Sequence, residues 1–146
     1  MSFSDVLREA REQSNPQLLA DLIPYAKAMG IGFSQEENKL VGQMDFEQIL
    51  IGDIGVGALH GGTIGALLES TAIFSILWEV ADTQMPKTIN LTVEYLRSGR
   101  PKTTYASAII TRHGRRVANV RATAWQEDPN KPIAAAYAHF LLVPRS

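Results

Sequence analysis

The chain has 146 residues, 45% of them hydrophobic and 20% charged, which suits one globular domain with a sizeable core. Its net charge of -1 excludes a global pull toward nucleic acid or an anionic membrane, so any anion binding must come from local patches. It has no cysteine, which excludes disulfides, thiolate zinc sites and cysteine nucleophiles.

Residues 1–9 carry charges where a signal peptide needs an apolar run, so the expected location is cytoplasmic. Residues 2–14 read as a helix with Val6, Leu7 and Ala10 as its apolar stripe, and Ser2 with Asp5 forms a capping box. Asn15-Pro16 restarts the chain, with Asn15 as cap and Pro16 at the first helical position of a second helix through Leu18, Leu19, Leu22 and Ile23. Pro24 ends or kinks that helix, and Gly30 and Gly32 mark its exit. Residues 33–46 alternate weakly; Asn38 is a turn residue and residues 39–46 read as a strand. Residues 49–58 read as a Gly-rich loop that holds Asp53.

A long apolar helix follows, over residues 62–81. About 20 apolar residues suffice to cross a bilayer. Here Glu69 falls near the middle and Glu79 and Asp82 flank the segment, so it reads as a buried core helix and not a membrane span. Four strand signals come next. Residues 88–96 alternate, with Ile89, Leu91, Val93 and Tyr95 on one face and Asn90, Thr92 and Glu94 on the other. Residues 98–101 turn the chain into a strand over 103–111, and the turn Arg112-His113-Gly114-Arg115 joins it to a strand over 117–126 as a hairpin. Residues 128–130 turn again into a last strand over 132–143. Ala118, Ala122 and Ala124 share one face of their strand, and Ala134, Ala136 and Ala138 one face of the last. Small residues in register let the long helix approach the sheet. Helices, a strand, a long helix and four strands make an α+β domain, an antiparallel sheet wrapped around one buried helix. Tyr25, Trp78 and Trp125 read as core.

The chemistry concentrates at the long helix. His60-Gly61-Gly62 stands at its start, where backbone N–H groups lack partners and the dipole is positive. Glycine there removes side chains that would block access, so the turn can bind an anion or polarise a carbonyl oxygen; a plain Gly-rich turn is the alternative. Glu69 is the only formally charged residue between Gly61 and Leu77. Burial in an apolar wall pushes a carboxyl pKa up, and such a group acts as general base or nucleophile. The alternative is a buried Glu bonded to a backbone group or to the hydroxyl of Ser70 or Thr71. His60 and Glu69 are nine residues apart, about 13 Å and half a turn out of phase on one helix. If both act on one substrate, a second copy of the helix must lie antiparallel alongside, which predicts a two-fold dimer with shared sites. Arg112, Arg115 and Arg116 cluster at one hairpin turn, and Arg97 and Arg100 at the turn before it; each group suits phosphate recognition or is a solvated turn. His113 and His139 have no metal-ligand spacing with each other or with His60, and no metal site is expected.

The His60-Gly61-Gly62…Glu69 motif and the element order resemble the hotdog-fold acyl-CoA thioesterases, of the phenylacetic-acid-degradation and 4-hydroxybenzoyl-CoA thioesterase type. The similarity spans roughly residues 32–143, with residues 88–96 like the family's strand after the central helix and residues 134–140 like its closing strand. The chain then divides into an N-terminal helical segment, residues 1–30, and a hotdog domain, residues 31–146. The resemblance implies that Glu69 is the catalytic carboxylate, that the Gly61 N–H polarises the thioester carbonyl, and that His60 shapes that end of the site. It implies that Thr88 orients the water, and that Arg112, Gly114, Arg115 and Arg116 meet the phosphates of coenzyme A. It also implies a homodimer that pairs into a homotetramer and an acyl-CoA substrate with no separate cofactor; neither nucleic acid nor membrane is an expected partner. Many members carry Asn or Gln six residues before the His, where this chain has Ile54 beside Asp53. That departure motivates a second reading, a hotdog module that binds acyl-CoA without turnover. A hotdog dehydratase needs an Asp/His pair that the spacing does not supply.

Overall fold

The computed structural model describes residues 2–80 and 85–143. Three short helices lead the chain: α1 (Phe3–Glu12), α2 (Gln17–Ala20) and α3 (Pro24–Ala28). Ser2 and Asp5 form the expected capping box at the head of α1. The single second helix of the sequence reading is instead two, and Asn15 is not its cap. Pro16 occupies that place without a side-chain bond, and Pro24 opens α3 at its first position. Proline fits the start of a helix because the N–H it lacks has no helical partner there.

The strands that follow are β1 (Ile31–Glu36), β2 (Lys39–Met44), β3 (Ile51–Asp53) and β4 (Ala58–Leu59). Gly32 lies inside β1 and does not mark a helix exit. Glu37 and Asn38, both at positive φ, turn β1 into β2. The expected Gly-rich loop contains a turn of 3-10 helix (Gln48–Leu50) and the small β3–β4 ribbon. Next come α4 (Gly61–Glu79) and the long strands β5 (Pro86–Tyr95), β6 (Thr104–His113), β7 (Val117–Trp125) and β8 (Ala134–Leu142). The sequence reading carries α4 on to Ala81, which lies outside the described residues.

One antiparallel sheet in the order β1-β2-β6-β7-β8-β5 wraps α4. Apolar on every face, α4 buries Leu67, Leu68, Phe74, Ile76 and Leu77 completely, as a helix at the centre of a core does. Ala118, Ala122 and Ala124 of β7 and Ala134, Ala136 and Ala138 of β8 face it as expected, all buried. On β2, Gly42 meets the helix so closely that a Cβ there would lie 2.2 Å from Thr71 Oγ1. The N-terminal helices add Leu7, Ala10, Leu19 and Ala26 to the same core. Gln17 accepts the Phe33 N–H at 2.9 Å and so occupies a donor of β1, one edge of the sheet. The other edge, β5, has no strand beside it among the described residues. Two aromatics read as core lie elsewhere: Tyr25 is exposed, and Trp125 points away from α4 and stacks on Tyr105.

Candidate active site along α4 and β5

The ends of β5 touch two widely separated points of α4. At one end the Tyr95 hydroxyl donates to the Gly61 carbonyl at 2.8 Å. At the other the Thr88 hydroxyl donates to Glu69 Oε2 at 3.1 Å. Strict alternation cannot achieve both. Leu91, Val93 and Tyr95 lie on the side of β5 toward α4, and in a regular strand Thr88 would lie opposite. A β-bulge resolves the conflict: Thr88 pairs with Phe140 and Asn90 with His139, so Ile89 is an extra residue. Thr88 thereby returns to the side of buried Phe140, and Ile89 turns outward, 54% exposed. The expected grouping of Ile89 with Leu91, Val93 and Tyr95 is corrected by this bulge.

Glu69 is half-buried in the single chain, not sealed in an apolar wall as its neighbours in sequence suggest. Its partner is Thr88, on another element, and not the adjacent Ser70 or Thr71.

His60 caps α4. Its Nδ1 accepts the Gly62 N–H at 2.9 Å, its own N–H donates to the Leu50 carbonyl at 2.8 Å, and its ring is exposed. This assigns the ring proton to Nε2, which faces away from the cap. Gly62 is therefore no free donor, whereas the Gly61 N–H has no protein acceptor among the described residues. The two glycines also serve neighbours within the chain. A Cβ on Gly61 would lie 3.1 Å from the Tyr95 ring, and one on Gly62 would lie 2.9 Å from His60 Nδ1. Open access for a ligand, the sequence-based reason for these glycines, is thus only part of their role. Neither Tyr95 nor Thr63, whose hydroxyl donates to the His60 carbonyl at 2.6 Å, was singled out from sequence. An apolar–polar alternation does not mark which tyrosine crosses to a helix.

Gly61 borders a cleft of about 410 Å³ with Tyr95, Arg97 and Ser98. Arg97 and Ser98 continue into a second cleft of about 450 Å³ that holds Arg100, Lys102 and Lys131. Lys102 is paired there with Glu127. The other arginine cluster stands apart. Arg112, Arg115 and Arg116 are exposed around Gly114, whose N–H donates to the Val117 carbonyl at 2.9 Å. Pairing places that hairpin in one row of the sheet with Thr88, through Ala118 and Phe140. Three strand spacings, about 14 Å, separate β6 from β5 in that row. Arg97 and Arg100 therefore belong to the Gly61 end of the sheet, and the 112–116 turn to the Glu69 end.

Ile54 sits at the tip of the β3–β4 ribbon, 89% exposed. Beside it Asp53 Oδ1 accepts the Gly55 N–H at 2.9 Å. That bond closes the ribbon turn, so one oxygen of Asp53 is engaged locally.

A sheet curled around a single long apolar helix, here with Glu69 inside its apolar stretch, defines the hotdog class of domain. Residues 56–133 match the profile of the thioesterase superfamily. The chain is 28% identical over 135 residues to the medium/long-chain acyl-CoA thioesterase YigI of Salmonella typhimurium, across 82% of this chain and 86% of that protein. A Chromobacterium violaceum protein of known crystal structure is 37% identical, with 96% of this chain and 98% of that one covered and a TM-score of 0.76. A phenylacetic acid degradation-related protein of Ralstonia eutropha shares the fold at 23% identity, with a TM-score of 0.74 over 96% of this chain and 98% of that one. The chain belongs to the thioesterase superfamily, and thioester hydrolysis is its class of chemistry.

Proposed function

We propose that the protein hydrolyses acyl-CoA thioesters to the free acid and coenzyme A at sites shared between two copies of the chain. One observation carries the reading: Glu69, the one charge in the apolar stretch of α4, is held by the Thr88 hydroxyl, which a bulge turns toward it. In this mechanism Glu69 takes a proton from water, or itself attacks the thioester carbonyl, and Thr88 orients the water. The carbonyl oxygen becomes an oxyanion and is met by the Gly61 N–H at the positive end of a helix. In the first route hydroxide adds to the carbonyl carbon, and collapse expels the CoA thiolate, which takes the proton from Glu69. In the second, collapse leaves an acyl-Glu69 anhydride that the water then hydrolyses, its proton going to the thiolate. No metal or other cofactor is needed for these steps.

Gly61 and Glu69 are eight residues apart, about 12 Å along one helix, too far to grip one carbonyl. An antiparallel second α4 brings Gly61 of one subunit to Glu69 of the other. The bare edge of β5, with Tyr95 54% and Leu96 52% exposed, supports a homodimer joined there. Dimers then pair into a homotetramer. In that pairing Arg97 of one subunit and Arg112, Arg115 and Arg116 of the other flank the same site, and both groups suit the phosphates of coenzyme A. The likeness to YigI supports a medium or long acyl chain. The working location is the cytoplasm.

The test is thiol release from a panel of straight-chain and aromatic acyl-CoAs, with Glu69→Ala as control. We expect hydrolysis to be abolished while cooperative unfolding is kept. Continued turnover by Glu69→Ala would remove Glu69 from the mechanism.

A further inference from the structure

We infer that Thr63 is a positioning residue for the Gly61 N–H, acting through the far side of the same peptide unit. This rests on the reading of that N–H as the donor to the thioester carbonyl. The His60 carbonyl and the Gly61 N–H belong to one planar, resonant amide. Two bonds from Thr63 converge on that carbonyl: the hydroxyl at 2.6 Å and the backbone N–H at 3.0 Å. Donation into an amide carbonyl pulls electron density toward oxygen and makes the N–H of the same amide a stronger donor. Chains of hydrogen bonds polarise one another by about 10–30% per bond.

The surrounding bonds give that polarisation one outlet. The His60 N–H is spent on Leu50, and the Gly62 N–H is spent on His60 Nδ1. The Gly61 N–H is left without a protein acceptor among the described residues. Thr63 itself is 8% exposed, so little water competes for its hydroxyl. The turn also needs a clamp. Two consecutive glycines give it the greatest backbone freedom of any part of α4. Thr63 fixes the orientation of the first peptide, and the Tyr95 hydroxyl on the Gly61 carbonyl fixes the next. A side-chain hydroxyl that bonds three residues back on a helix is common in its own right and satisfies the hydroxyl. A role in polarising Gly61 must therefore show in a property of the bound substrate.

The experiment uses the full-length protein with Glu69→Gln, which holds substrate without turnover, and decanoyl-CoA labelled with carbon-13 at the thioester carbonyl. Infrared difference spectra report the carbonyl stretch of the bound probe. We expect a red shift relative to the probe in water, a smaller red shift when Thr63→Val is added, and the full shift with Thr63→Ser. In the Glu69-intact protein, Thr63→Val should lower kcat roughly two- to tenfold, the range of one lost hydrogen bond, with KM within about twofold. Thr63→Ser should restore kcat. Thr63→Ala is the second hydroxyl-free variant should valine fail to fold. An unchanged band and kcat in the hydroxyl-free variant, or an equal loss in Thr63→Ser, overturns the role of Thr63. Absence of any red shift with Thr63 intact overturns the reading of Gly61 as donor, and with it the assignment of Thr63.

Discussion

A methyl group on Gly52 would lie 2.6 Å from the His60 Cα, while one on Gly62 would lie 2.9 Å from the His60 Nδ1. The first obstacle is backbone and the second is the end of a ring that can rotate. Gly52→Ala must push β3 away from the head of α4 and disturb the bond from the His60 N–H to Leu50. We expect it to cost about 1–3 kcal/mol in urea unfolding, the scale of an overpacked site. Gly62→Ala loses chiefly the cap, about 1 kcal/mol or less, since His60 is exposed and water can replace its ring. Equal losses for the two would show that the ribbon yields as readily as the side chain. His60-Gly61-Gly62 is conspicuous in the sequence, but the neighbours that require its glycines, Tyr95 and the His60 ring itself, are visible only in the fold. Gly52 lies in a run of aliphatic residues broken by several glycines, so nothing local tells that it backs the site.

At the scale of elements, the bulge at Ile89 decides which face Thr88 occupies. Deleting Ile89 removes the extra residue and makes β5 a regular strand, with Thr88 beside Asn90, still opposite Phe140 and on the side of its bond to Glu69. We expect the deletion to keep most of the wild-type kcat and Thr88→Val to lower it, with thermal unfolding cooperative in both. A loss in the deletion variant as large as in Thr88→Val would mean that the bulge itself, and not only the phase it gives Thr88, holds that hydroxyl on Glu69. Sequence periodicity shows β5 through β8 and α4 plainly, because each is long and each alternation or apolar run repeats several times. It cannot show a single extra residue, because Ile89 fits the alternation it interrupts. β1, β3 and β4 escape notice for another reason. β1 (Ile31–Glu36) has only weak alternation and is held by its hairpin partner β2 and by the distant Gln17 side chain, neither of which its own pattern reveals. The β3–β4 ribbon is too short to carry a period. The break before α3 is hidden in the sequence because a proline that ends or kinks one helix serves equally as the beginning of another.

For the whole molecule the asymmetry of the two sheet edges is the main fact. Gln17 and the N-terminal helices lie against β1, while β5 keeps an unpaired ladder with Ile89 and Tyr95 exposed. An open edge invites a strand of another chain. Mixed dimers test whether that chain is a second copy that completes the site. One subunit carries Glu69→Gln and its partner Gly61→Pro, which deletes the N–H at a first helical position whose backbone suits proline, although the Tyr95 ring must shift slightly to admit its Cβ. With different tags on the two chains, the hybrid can be isolated. Sites shared across the dimer leave one of the two intact, so we expect about half the wild-type kcat per dimer. Sites confined to single chains leave both broken and the hybrid inactive.

The distance between Tyr95-bound Gly61 and Thr88-bound Glu69 has a genetic meaning as well. With shared sites, the same two lesions behave differently according to their arrangement. Placed on separate gene copies they complement, because each hybrid keeps one good pairing. Placed together on one copy they poison every mixed dimer, because each site then receives one damaged half. Eight residues of helix turn a question of allele phase into a question of enzyme activity.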